Sequence, residues 1–124
     1  MKITPEIAEC VGLWLAEDDN KTKGEITFTN NCYILVEFFA KTIQQLFKNS
    51  NFRPRIYVYS ANNEKKQLNL NCKTNYYIDK RASKPYFIYR IGSVKLTFQW
   101  KDIVKKTKNN KKFYKYILRA EIQC

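Results

Sequence analysis

The stretch from Thr4 to Glu17 constrains this chain more than any other. Thr4 is suited to cap a helix, Pro5 to fill its first position, and Glu6 to face the positive end of its dipole. Ile7, Cys10, Val11, Leu13, Trp14 and Leu15 then put apolar side chains on nearly every side. A helix apolar all round is buried all round, so other elements must enclose it. One stripe differs: Ala8, Gly12 and Ala16 recur every fourth residue and line up on one face. Glycine inside a helix costs about 1 kcal/mol relative to alanine. A second helix approaching backbone to backbone would offset that cost; the plain alternative is a core helix with a chance glycine. The helix ends in Glu17, Asp18 and Asp19, carboxylates placed where the dipole is negative. Such a cluster either attracts a cation, a metal ion or a basic partner, or forms a solvated acidic turn.

The remaining pattern alternates strands and helices within one domain, residues 1–124. Glu25–Thr29 reads as a short strand around Ile26 and Phe28. Asn30 or Asn31 is positioned to cap a helix whose apolar residues, Ile34, Leu35, Phe38, Phe39, Ile43, Leu46 and Phe47, keep helical spacing. Arg53–Tyr59 reads as a strand with Arg55, Tyr57 and Tyr59 on one face and Ile56 and Val58 on the other. Gln67–Cys72 alternates through Leu68, Leu70 and Cys72, 73–85 is mixed, and Tyr86–Ile91 reads as a strand. After Gly92 the residues fit a strand or a helix; continuation of the pattern to Thr107 favours a helix from Ser93 or Val94. Lys105–Lys112 reads as a basic loop and Phe113–Ile122 as a closing helix.

Charge gives the first pointer to function. The chain carries 23 Lys and Arg against 11 Asp and Glu, a net charge of +12. Residues 1–50 are net acidic, whereas 51–124 hold 18 basic and four acidic residues. This asymmetry points to a polyanionic partner. A lysine-rich composition bias would have enriched both halves. With no histidine in the chain, Ser–His and Cys–His nucleophile pairs are excluded. Cys10, Cys32, Cys72 and Cys124 lack zinc-knuckle spacing, and four free thiols are expected ahead of the alternative of one disulfide. The longest apolar run, Cys10–Ala16, is too short to cross a bilayer, and a cytoplasmic protein with no membrane association is expected.

Glu9-Cys10-Val11-Gly12-Leu13-Trp14-Leu15-Ala16-Glu17 resembles the signature helix of the LAGLIDADG homing endonucleases. Gly24–Asn30 and the amphipathic helix after it resemble the segment downstream of that motif in short archaeal-type members, and Tyr89–Leu96 also resembles a part of the family's chain. The resemblance implies an α/β (α+β) fold with an antiparallel sheet, helices on one face, and a saddle that straddles double-stranded DNA. It implies a homodimer through Ala8, Gly12 and Ala16. Glu17 would be the catalytic, metal-ligating carboxylate, with Asp18 beside it, and Mg2+ or another divalent cation would serve cleavage of both strands. Lys95 would take the place of a supporting lysine. Arg53, Arg55, Tyr57, Lys66, Lys80, Arg81, Arg90 and Lys95 are the expected nucleic-acid contacts.

Three departures bear on this reading. Asp18 stands where the family has glycine, adding charge at the point where the chain leaves the helix. The first strand pair is compressed into Asn20–Asn30. One motif is clear, and Tyr116–Glu121 reads either as an ordinary closing helix or as the decayed start of a second. A non-cleaving member that binds DNA or RNA, as a maturase does, is therefore the alternative, ahead of a protein-interaction module with incidental charge.

Overall fold

In the computed structural model, residues 2–17, 24–62 and 68–119 are described, Arg119 by its backbone alone. The first helix, α1 (Pro5–Ala16), begins where its cap dictates: the Thr4 hydroxyl oxygen accepts from the Ile7 N–H at 3.2 Å. After it come β1 (Glu25–Asn30), α2 (Tyr33–Leu46), β2 (Arg55–Ser60), β3 (Lys73–Ile78), β4 (Tyr86–Gly92), α3 (Val94–Lys108), a 3-10 turn at Lys111–Phe113, and α4 (Tyr114–Arg119). The described strands form one four-stranded open sheet in the order β1-β4-β2-β3. This is an α+β arrangement: α2 packs on β1 and β4, and α3 on β1, while α1 lies against α2, α3 and α4.

Period-2 alternation decides which sheet face is covered. Ile26 and Phe28, Ile56 and Val58, and Phe87, Tyr89 and Ile91 are buried beneath the helices. An aromatic chain ties the layers together. Trp14 meets Trp100 edge-on at 5.9 Å, Trp100 meets Phe39 edge-on at 5.9 Å, and Phe39 stacks on Phe28 at 4.5 Å. The Trp14 indole N–H also donates to the Thr27 carbonyl at 3.0 Å, fastening α1 to edge strand β1. Among the described residues no helix is long and apolar enough to cross a membrane.

Several expectations are corrected. The sheet is not wholly antiparallel, because β2 and β3 run parallel. A parallel neighbour needs a crossover of about a dozen residues, and the connection over 61–72 has that length. Residues 68–72 belong to this crossover rather than to a strand, although Leu68, Leu70 and Cys72 do pack against the core. Asn69 fixes it by donating its N–H to the Tyr33 hydroxyl oxygen at 2.8 Å. Neither Asn30 nor Asn31 caps α2; Cys32 holds that position, and Asn30 Oδ1 accepts the Cys32 N–H at 2.8 Å. Lys105, Lys106 and Lys108 lie in the last turn of α3, where they oppose the negative end of its dipole, not in a loop. Cys10 and Cys72 are free, but Cys32 is disulfide-bonded, so the expectation of four thiols does not hold. Burial pushes the Cys10 thiol up to about 12, leaving it inert.

The small-residue stripe does receive a helix, and that helix is α4 of the same chain. A Cβ added at Gly12 would lie 2.4 Å from the Ile117 carbonyl oxygen and 2.9 Å from its Cα. Ala8 and Gly12 are buried, and Ala16 is exposed. At Gly12 the stripe is thus met within one molecule, where the resemblance implied a second copy, while Ala16 stays exposed. On an isolated helix, Gly12→Ala would gain about 1 kcal/mol from propensity. Here the added methyl meets rigid backbone, so we expect a net loss of about 1–3 kcal/mol, read as a lower urea midpoint. A stabilised Gly12→Ala protein would refute the contact with α4.

Candidate nucleic-acid interface

The sheet face opposite the helices is set by strand register. Arg55 pairs with Arg90 on β4 and with Lys73 on β3, which places three cations in one row across adjacent strands. Two residues along, Tyr57 lies between Ile88 and Asn75; two further, Tyr59 lies between Tyr86 and Tyr77. Arg53, just before β2, joins Arg55, Tyr57, Arg90, Glu25 and Gly92 around a cleft of about 490 Å³. Arg53, Arg55, Lys73 and Arg90 are all exposed.

Like charges directly opposite one another destabilise a sheet. Within this cleft one carboxylate offsets three guanidinium groups: Glu25 pairs with Arg90 and raises its already high pKa. Both partners are substantially exposed, so the pair adds little to stability. The arrangement is instead matched to an anion, because a guanidinium fork fits the paired oxygens of a phosphate.

Of the expected nucleic-acid contacts, Arg53, Arg55, Tyr57 and Arg90 are therefore brought together. Lys80 and Arg81 lie beyond the end of β3, both exposed. There the Asp79 carboxylate accepts the Arg81 N–H at 3.1 Å and the Tyr86 hydroxyl at 3.1 Å. These contacts, the backbone N–H foremost, hold the Asp79 carboxyl below its ordinary pKa. Lys95 is exposed in the first turn of α3, in the helical layer, and does not join the cation row. Lys66 and Asp18 lie outside the described residues. Sequence reasoning missed Lys73, Tyr77 and Tyr86 as parts of this face. The period-2 spacing of Lys73, Asn75 and Tyr77 held the signal, hidden in a segment read as mixed.

Glu17 is exposed at the C-cap of α1. Asn30 donates its amide N–H to Glu17 Oε1 at 2.8 Å, while its Oδ1 is held by the Cys32 N–H. The carboxylate is thus oriented by a side chain that is itself fixed by the entry to α2. Among the described residues no three of the Cys, Asp and Glu side chains gather as a metal-binding group. Comparison of the chain with protein-family models, curated proteins and solved structures gives no match.

Arg55 is the centre of the like-charged row, so its role separates binding from stability. We expect Arg55→Thr to raise stability by up to about 1 kcal/mol, by removing two repulsive cross-strand neighbours, and to weaken polyanion binding. A lower urea midpoint for this variant would show that the row is not repulsive.

Proposed function

We propose that this chain binds double-stranded nucleic acid, DNA in the first instance, through the open face of its sheet. The observation that carries the reading is the row Lys73, Arg55 and Arg90, with Arg53 at its side, left uncovered by any described helix. Phosphate contacts fix position and orientation on a duplex, and the tyrosines and Asn75 beside the row supply groups able to reach groove edges. The resemblance of Glu9–Glu17 to the LAGLIDADG signature helix agrees with a DNA-facing sheet on the side away from the helices.

If this is correct, affinity falls steeply with salt, and the triple substitution of Arg53, Arg55 and Arg90 by Gln lowers the log–log slope by about 3, near 0.9 for each lost phosphate contact. Fluorescence anisotropy with a duplex over a salt series measures it. An unchanged slope would move the binding surface elsewhere, the lysine-rich end of α3 being the next candidate.

A second reading, metal-dependent hydrolysis, is favoured by Glu17, an exposed carboxylate held in place by Asn30. Its hard oxygen donors fit Mg2+, which takes one or two carboxylates and completes its shell with water. When bound, such a cation supplies an activated water and stabilises the departing oxygen of a phosphodiester. The role of the chain would be to hold that cation at Glu17 while the sheet fixes the duplex. Pairing two Glu17 carboxylates in a homodimer through Ala8, Gly12 and Ala16 requires α4 to leave the Gly12 face. Plasmid nicking in Mg2+ or Mn2+ tests the reading: wild type should nick, and Glu17→Gln should lose this by orders of magnitude while keeping its affinity for DNA. A wild type that binds without nicking leaves the binding function and removes the hydrolytic one.

A further inference from the structure

On the open face, three tyrosines from adjacent strands form a column. Tyr59 and Tyr86 are almost parallel, their planes 4° apart and centroids 4.8 Å apart, and Tyr77 stacks on the other side of Tyr59 at 5.1 Å and 21°. The spacing is that of neighbouring strands, so the ring faces look along the hydrogen-bonding direction of the sheet. Tyr86 is stacked by Tyr59 on one side. β1 ends at Asn30, opposite Phe87, so among the described residues no strand residue continues the column beyond Tyr86. A second cleft of about 490 Å³ opens there, lined by Asn31, Asp79, Arg81, Ser83, Lys84 and Tyr86.

We propose that this cleft takes one unpaired nucleobase, stacked on Tyr86 as the next plane of the column, with its phosphate toward Lys84. The inference rests on the nucleic-acid reading above and names what that surface holds besides a duplex backbone. Cross-strand tyrosines by themselves only stabilise a sheet. Here the column ends beside a cleft with two exposed cations, and four residues along β2, about 13 Å away, the row of Lys73, Arg55 and Arg90 begins. A ligand that suits both ends of the face carries aromatic planes and repeated negative charge, which is the chemistry of a single strand. The Asp79 carboxylate stays charged but is offset by the Arg81 guanidinium, whose Nε lies 3.6 Å from Oδ1, and it also accepts the Arg81 N–H and the Tyr86 hydroxyl. Lys84 is the cation of the cleft left to a phosphate beside that pair. The strand is either RNA or an opened segment of DNA.

The experiment compares four labelled probes with the full chain at fixed salt: a short single strand with its bases, the abasic strand of equal length, and both in ribose and deoxyribose forms. A duplex serves as the reference. The base-bearing strand should bind about five- to a hundredfold more tightly than its abasic counterpart, the gain that stacking of one base supplies. Tyr86→Val should abolish that gain, and Tyr86→Phe, which keeps the ring and loses only the bond to Asp79, should retain it. A tighter ribose strand names RNA as the source, and equal or reversed preference names single-stranded DNA. Because Tyr86→Val is also a packing change, a second measurement uses wild type: adenosine monophosphate should shift the Tyr86 ring protons in NMR spectra where ribose 5-phosphate does not. Equal binding of abasic and base-bearing strands overturns the base site and leaves duplex binding standing. Failure to bind any of the probes, duplex included, overturns both.

Discussion

The aromatic chain Trp14–Trp100–Phe39–Phe28 is the contact on which the rest of the molecule depends. It joins α1, α3, α2 and β1, and Tyr89 on β4 meets Phe39 edge-on at 6.1 Å. Large aromatic side chains bury more area than any others, and edge-on pairs add to that burial. Because all these rings lie on one side of the sheet, the helices gather there and no described helix covers the opposite face. The open face is therefore a consequence of the core.

That face concentrates what the core excludes. At one end, cations oppose cations across three strands with Glu25 as the partner of Arg90. At the other, tyrosines stack across the same three strands and stabilise their pairing. Repulsion at one end and attraction at the other act on the same register. The tyrosine column holds β3, β2 and β4 in alignment, and the same register sets Lys73, Arg55 and Arg90 side by side.

The helical layer has its own close contact at Gly12. Without a side chain there, the Ile117 backbone approaches α1 directly, and α4 closes over the end of the core. The cost of a glycine inside a helix, about 1 kcal/mol, is offset by this approach. The same contact decides that the stripe serves one molecule's packing in the arrangement described, while Glu17 stays exposed one turn beyond.

Much of this was legible in the sequence. Thr4, Pro5 and the apolar run after them set the start and burial of α1, and the alternation of Arg55, Ile56, Tyr57, Val58 and Tyr59 set the two faces of β2. Helical continuation past Gly92 correctly favoured α3 over a strand. These features arise from capping and from periods of 3.6 and 2, which act over a few neighbouring residues. The parallel pairing of β2 with β3, the crossover made by 68–72, the neighbours Lys73 and Tyr77, and the helix that fills the Gly12 face came only from the tertiary structure. Each of those joins segments far apart in the chain, where the choice of partner is made by competition among long-range contacts rather than by any local pattern.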